Sequence, residues 1–228
     1  MKKNIVLLGD SIFDNGVYVK SGESDVTTQL QELLDEGDKA SLLAVDGHFI
    51  NDVERQLTNL PNDTTHLVIS VGGNNVIRIL DEFSRSTRNI GESFLKFYPS
   101  RQSFESAYIR MLTNVSSFNL PTTLFTIYHP CYSHLEKERV SDHMAYGVNS
   151  ETIQKMAMTA LPIFNDIIFQ EAVNFNLPVI DLRLIFNDEL DYANPIEPSA
   201  IGGLKMAKVI REVVYKHDFL SNDTTVYK

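Results

Sequence analysis

The sequence predicts a single α/β domain, a three-layer sandwich with helices on both faces of a parallel sheet of about five strands. Five short runs are nearly continuous in branched and aromatic residues, which is typical of strands buried on both faces. These runs cover 4–8, 41–45, 66–71, 122–127 and 178–182. Segments with apolar residues at helical spacing lie between them, and this alternation favours a doubly wound parallel sheet.

Local signals mark several of the helices. The helical stripes cover 26–34, 50–57, 104–118, 156–175 and 201–214. Ser24 or Asp25 is a candidate N-cap of the first stripe, and Gly37 is its stop signal. Pro162 predicts a start or a kink in the fourth stripe. Ser199 is a candidate N-cap of the last one.

No linker or internal repeat divides the chain, so we expect one domain over 1–217 and a polar, frayed tail over 218–228. The segments 84–99 and 131–150 are predicted to be loops beside the functional site.

Composition excludes some partners. The chain has 228 residues and is 43% hydrophobic, which is typical of a globular protein. Its formal charge of −10 argues against a basic face. Binding to a phosphate backbone needs such a face, so no nucleic-acid partner is expected.

The location is predicted from what the sequence lacks. Cys131 is the one cysteine, so no internal disulfide forms and a reducing compartment is expected. The apolar stretch after Lys3 is too short for a signal peptide, and no stretch has the length of a membrane span. We therefore expect a cytoplasmic protein that does not bind membranes. The oligomeric state stays open.

Polar and glycine-rich motifs follow the predicted strands. In a doubly wound sheet the carboxyl ends of the strands meet at one crevice, so these motifs should lie close together. They are Gly9-Asp10-Ser11, Asp46-Gly47-His48, Gly72-Gly73-Asn74-Asn75, Tyr128-His129-Pro130 and the region of Asp181.

The first three motifs contain the parts of an acyl-transfer site. Ser11, on a strand-to-helix turn, is a candidate nucleophile, and its own N–H can face the developing oxyanion. The Gly47 N–H and the Asn74 side-chain amide are candidates for further oxyanion donors, and one such donor typically contributes ~3 kcal/mol. Asp10 is expected to shape the turn by accepting backbone hydrogen bonds.

This series resembles the SGNH hydrolase family, also called GDSL esterases and lipases. That family has a Gly-Asp-Ser block, a Gly block, a Gly-x-Asn-Asp block and a late Asp-x-x-His block. The resemblance covers nearly the whole chain in the family's order. It implies that Ser11 is the nucleophile and that Gly47 and Asn74 are oxyanion donors. Asn75 replaces the family's usual Asp.

The last block departs from the family pattern. The matching phrase is Asn-Pro-Ile-Glu-Pro-Ser over 194–199, in which Asn194 replaces the Asp and Glu197 replaces the His. The chain therefore resembles a divergent subset of the family. The implied activity is hydrolysis of an ester, with an O-acetyl or short acyl group, through an acyl-serine intermediate. The implied substrate is a small-molecule or glycan ester, and no metal or organic cofactor is implied.

Three hypotheses address which group acts as the general base in place of the missing histidine. In the first, Glu197 is the general base and Asn194 orients it, which needs burial to raise the glutamate pKa from ~4.3 toward ~6–7. In the second, His129 is the general base, and His48 is a weaker candidate for the same role. In the third, the protein binds an acylated ligand without turning it over. Asp10, Asn194 and His129 are also predicted to contact the substrate.

His134 and His143 lie in a charged segment and are expected to be solvated. Together with Cys131 and Asp142 they match no strong zinc-binding spacing, so no metal site is predicted.

Overall fold

A six-stranded parallel sheet forms the centre of the computed structural model, which describes residues 2–83, 86–132 and 150–228, without the side chains of 80–83. In chain order the strands are β1 (Asn4–Gly9), β2 (Lys39–Leu42), β3 (His66–Ser70), β4 (Thr122–Phe125), β5 (Val179–Ile180), β6 (Tyr192–Asn194), β7 (Glu197–Pro198) and β8 (Val226–Tyr227). The sheet has the order β2-β1-β3-β4-β5-β8, and β6 and β7 form a separate antiparallel pair.

Helices cover both faces of this sheet. They are α1 (Val26–Leu33), α2 (Val53–Leu57), α3 (Gly73–Phe83), α4 (Ile90–Ser116), α5 (Ser150–Asn174), α6 (Leu182–Ile185) and α7 (Ala200–Lys216). Successive side chains of a strand point to opposite faces. Ile5 and Leu7 accordingly pack with α1 and α7, whereas Val6 and Leu8 pack with α2, α4 and α5. This arrangement confirms the predicted three-layer α/β sandwich.

The caps of two helices follow the sequence signals. The Asp25 carboxylate accepts the Thr28 N–H at 2.7 Å and begins α1. The Ser199 hydroxyl accepts the N–H groups of Ile201 and Gly202 at the start of α7. None of the helices in the described ranges is long and apolar enough to cross a membrane.

The prediction of a loop over 84–99 is wrong from residue 90 onward. Helix α4 begins at Ile90, continues through Pro99, and is capped by the Asn89 side chain, which accepts the Glu92 N–H at 2.9 Å. Ile90 and Phe94 are largely exposed, so this half of the helix has no buried apolar stripe that sequence periodicity would reveal. Helix α3 was also not predicted. Of the predicted loop 131–150, residues 133–149 lie outside the described residues.

The expectation of a frayed tail is wrong at its end. Strand β8 pairs with β5, where Val179 N–H donates to the Thr225 carbonyl and Asp181 N–H donates to the Tyr227 carbonyl, both at 2.9 Å. The Tyr227 hydroxyl lies 3.0 Å from Nδ1 of His217. The tail thus covers one edge of the sheet, a role that its polar sequence does not indicate.

Removal of residues 223–228 should lower the free energy of unfolding by about 2 kcal/mol, because two backbone hydrogen bonds and the packing of Tyr227 are lost. Urea denaturation of the truncated chain measures this. Deletion of Lys228 alone is the control and should have little effect. A truncated chain as stable as the full chain would show that β8 contributes nothing to stability.

Candidate active site

The predicted motifs meet where the strand order changes direction. Strand β1 lies between β2 and β3, and a crevice at the carboxyl ends of the strands forms at such a switch point. Ser11 follows β1, and Asn74 lies in the first turn of α3, directly after β3. The fold therefore brings the Gly-Asp-Ser and Gly-Gly-Asn motifs to one crevice.

Gly9 allows the ends of β1 and β3 to approach closely. Its φ is +130°, and a Cβ atom there would lie 1.7 Å from the Ser70 carbonyl oxygen. The next residue, Asp10, donates its N–H to the same oxygen at 3.2 Å. Only glycine is compatible with both the backbone conformation and this contact.

The Gln56 amide joins two of the site turns. Its Oε1 accepts the Gly9 N–H, and its Nε2 donates to the Gly9 carbonyl, both at 2.8 Å. The same Nε2 lies 2.9 Å from Nδ1 of His48 and donates to it. Gln56 is not among the residues predicted from the sequence. The available signal was a polar residue within the apolar stripe of α2, where a buried amide needs partners.

Ser11 and Glu197 form the central contact of the site. The Ser11 hydroxyl donates to Oε1 of Glu197 at 3.1 Å, across 186 positions of the sequence. Each residue is only 6% exposed. Glu197 begins β7, so the β6–β7 pair places the carboxyl over the turn that follows β1.

The loop that carries Glu197 is held by three groups. Oδ1 of Asn194 accepts the N–H groups of Ile196 and Glu197, each at 3.0 Å. The Tyr128 hydroxyl donates to the Ile196 carbonyl, and the Cys131 N–H donates to the Pro195 carbonyl. Asn194 therefore orients the backbone of this loop and not the carboxyl of Glu197.

Asn15 connects the turn after β1 to the same loop. It is fully buried, and its Nδ2 donates to the Pro198 carbonyl at 3.3 Å while its Oδ1 accepts the Val26 N–H at 3.0 Å. Neither Asn15 nor the Tyr128 hydroxyl was singled out from the sequence. Pro198 lies 183 positions from Asn15, and Ile196 lies 68 positions from Tyr128, so no local pattern predicts these two contacts.

Burial raises the pKa values of two acidic groups of the site. Burial raises the pKa of Glu197 to about 8, and the charges of Asp10 and Asp46 add to the rise, while the Ser11 hydrogen bond opposes it. Oε2 of Glu197 is buried and has no hydrogen-bond partner among the described residues. Burial likewise raises the pKa of Asp10 to about 7, opposed by hydrogen bonds such as Ile12 N–H to Oδ1. The glutamate pKa is thus shifted in the direction that the first hypothesis needs.

The two predicted oxyanion donors differ in their placement. Asn74 lines the cavity beside Ser11, and its Nδ2 donates one N–H to the His48 carbonyl at 3.0 Å. Gly47 has a φ of +78° and open space around it, but it is not among the described residues that line the cavity. The turn after β2 is therefore joined to the site through His48.

His129, the alternative base predicted from the sequence, does not line the cavity beside Ser11 in the described part of the chain. Its Nε2 is buried and has no hydrogen-bond partner among the described residues. Burial lowers the pKa of His129, and the nearby Arg183 lowers it further. Within the described residues no three Cys, His, Asp or Glu side chains form a metal-binding group. His134, Asp142 and His143 lie outside the described residues.

A partly open cavity lies beside Ser11 and Glu197. Its lining includes Asn74 in the first turn of α3, Thr126 and Tyr128 after β4, and one face of α5. A group bound to Ser11 would have room in this cavity.

No protein-family model and no curated protein matches the sequence. Solved structures do match it. An extracellular lipase from Streptomyces rimosus has a TM-score of 0.62 at 16% identity, over 92% of this chain and 99% of that chain. Phospholipase A1 from Streptomyces albidoflavus also has a TM-score of 0.62 at 16% identity, over 93% and 99% of the two chains.

The acetyl xylan esterase AlAXEase is similar to the same extent, with a TM-score of 0.62 at 18% identity over 92% of this chain and 99% of that one. The chain shares its fold with these lipases and esterases. At these identities the likeness is one of fold, and it leaves the roles of Ser11, Glu197, Gly47 and Asn74 as predictions.

The raised pKa of Glu197 predicts how stability depends on pH. Between its ordinary value of 4.5 and about 8, the folded protein keeps a proton that the unfolded chain releases. Stability should therefore fall as the pH rises through this window. In Glu197→Gln the free energy of unfolding should fall less over this pH range. The raised pKa of Asp10 should account for part of the fall that remains. Urea denaturation at several pH values between about 5 and about 9 measures both slopes.

Glu212→Gln, on the outer surface of α7, is the matched control and should follow the wild-type slope. If Glu197→Gln also declines as steeply as the wild type, Glu197 does not hold a proton in the folded protein at neutral pH.

Proposed function

We propose that this protein hydrolyses carboxylic esters, with Ser11 as the nucleophile and Glu197 as the general base. The 3.1 Å hydrogen bond between the Ser11 hydroxyl and the buried Glu197 carboxyl is the observation that carries the proposal. A nucleophile and a base within hydrogen-bond reach are the arrangement that covalent catalysis requires. The likeness of the fold to a lipase, a phospholipase and an acetyl xylan esterase supports ester hydrolysis in general.

In the proposed reaction the ionised Glu197 takes the Ser11 proton while Oγ attacks the acyl carbon. The tetrahedral intermediate then collapses, the bond to the alcohol oxygen breaks, and Glu197 gives the proton to the departing alcohol. A water molecule attacks the acyl-serine with Glu197 again as base, which releases the carboxylic acid and restores Ser11.

The oxyanion donors in this proposal are the N–H groups of Ser11 and Gly47 and the second N–H of the Asn74 amide. The first N–H of that amide is already bound to His48, which fixes the orientation of the side chain. A donor that is fixed before the reaction stabilises the developing charge without further reorganisation. A small-molecule or glycan ester is the proposed substrate. The cytoplasmic location and the lack of a nucleic-acid or membrane partner stay predictions.

A second candidate function is binding of an acylated ligand without turnover. The raised pKa of Glu197 favours this alternative, because a carboxyl with a pKa of about 8 is mostly protonated at neutral pH and does not accept the serine proton. The two functions differ in whether hydrolysis appears once Glu197 ionises.

Hydrolysis of p-nitrophenyl esters should rise with pH and level off above about 8, where Glu197 is ionised. Ser11→Ala should abolish the reaction, and Glu197→Gln should lower kcat by roughly 10⁴-fold. Glu212→Gln is the control and should keep the wild-type profile. A pH–rate profile of the four proteins measures this.

Full activity in Glu197→Gln, with loss of activity in His129→Ala, would assign the base to His129. Rates equal to the uncatalysed reaction in all four proteins, at every pH, would favour the binding function.

Tyr128→Phe should lower kcat by about tenfold to a hundredfold, because the Ile196 carbonyl loses its donor and the Glu197 loop shifts. KM should change little, since the ring that lines the cavity remains. The control is Tyr108→Phe, whose hydroxyl is buried without a hydrogen-bond partner in the described structure. Steady-state kinetics of both variants measures the effect, and equal kcat values would show that the Tyr128 hydroxyl does not position the base.

A further inference from the structure

The polar groups that line the cavity differ in whether they already have partners. The Thr126 hydroxyl donates to Oδ1 of Asp181 and accepts the Leu182 N–H, both at 2.9 Å. The Tyr128 hydroxyl donates to the Ile196 carbonyl. Oε2 of Glu197 is buried without a partner among the described residues. A ligand is therefore offered a hydrogen bond by Glu197, whereas the paired hydroxyls of Thr126 and Tyr128, among the apolar side chains of the lining, favour an apolar group.

One face of α5 forms the far wall of the cavity. Ile153, Ala157, Ala160 and Leu161 follow the spacing of one helix face and all line the cavity. Val76 and Ile77 of α3 line it as well. The two alanines leave space where larger side chains would fill the volume between the helix and Ser11.

We propose that this cavity binds the acyl chain of the substrate, and that the substrate is an ester of an unbranched apolar acid of medium length and not an acetate. Ala157 and Ala160 set the limit on chain length. This inference rests on the proposed function, and it replaces the acetyl or short acyl group expected from the sequence. Ser11 Oγ bonds to the acyl carbon, and the chain stays in the cavity until water releases the acid.

The direction of the ester follows from the position of Glu197. Its carboxyl must reach the alcohol oxygen to protonate it, and water must then enter where the alcohol has left. The exposed turn at Asp46 and Gly47 is close enough for the charge of Asp46 to act on Glu197, so this side of the site lies near solvent. The acyl chain is the part that remains bound during the intermediate, and the apolar wall formed by α5 suits it.

The test compares p-nitrophenyl acetate, butyrate, hexanoate, octanoate and decanoate on the wild-type protein. We expect kcat/KM to rise by about fourfold for each methylene that enters the cavity, and then to level off. A second series of acetates with longer alcohols should show no such rise. If acetate is the best substrate of the first series, or if only the alcohol series rises, the inference is overturned while the hydrolase proposal stands.

Ala160→Leu tests the wall directly. In this variant the ratio of kcat/KM for decanoate to kcat/KM for acetate should fall at least about tenfold, because the added carbons shorten the space left for a long chain. Ala157→Val is a smaller change that serves if Ala160→Leu does not fold. Met158→Phe adds bulk on the exposed side of α5 and should leave the chain-length profile unchanged. Unchanged profiles in both alanine variants would overturn the inference.

Binding to Ser11→Ala separates the two proposals. A neutral medium-chain methyl ketone should bind this variant measurably in calorimetry, and the added Ala160→Leu substitution should weaken the binding. Ketone binding together with no hydrolysis by the wild-type protein at any pH would support the acyl-chain cavity and overturn the hydrolase proposal. No ketone binding would overturn the cavity assignment.

Discussion

Strand β1 is the constraint on which the rest of the site depends. Every residue of β1 is buried, and its side chains belong alternately to the two cores on either face of the sheet. A shift of the strand by one residue would exchange these two sets, so its register is strongly determined. The close approach of Gly9 to β3 and the Gln56 hydrogen bonds then fix the point where the chain leaves the sheet. Ser11 is positioned by the same packing that stabilises the fold.

Asp10 and Glu197 are two buried acidic residues beside Ser11, and their burial destabilises the fold. The packing of the surrounding strands and helices holds them in place. A buried carboxyl without full hydrogen bonding costs free energy, and the protein limits that cost by keeping a proton on Glu197. The loop around Glu197 has the opposite character, because Asn194 and Tyr128 satisfy its backbone groups. A rigid loop that presents an unsatisfied carboxyl is more typical of a functional site than of a structural one. Glutamate in place of histidine also moves the predicted active range toward alkaline pH.

A shared fold does not determine a substrate. The structures that resemble this one include a lipase, a phospholipase and an acetyl xylan esterase, and the substrate of this chain must be argued from its own cavity. The lining of that cavity includes the paired hydroxyl of Thr126 and the alanines at 157 and 160 of α5. In the proposed mechanism these residues take no part in the chemistry at Ser11. We therefore expect mutation to change selectivity and catalysis separately.

The sequence by itself determined the sandwich, four of its strands, the caps at Asp25 and Ser199, and the motifs that hold Ser11, Asn74 and Glu197. These features depend on local periodicity, backbone preferences and short motifs, which a sequence displays directly. The sequence placed β2 at 41–45, whereas the structure has this strand at Lys39–Leu42 with exposed ends, because an edge strand lacks the continuous apolar run of a buried one. Only the tertiary structure decided that Ser11 meets Glu197, that Gln56 and Asn15 brace the site, and that the tail adds a strand. The reason is physical: such contacts join residues far apart in the chain, and packing of the whole domain selects them.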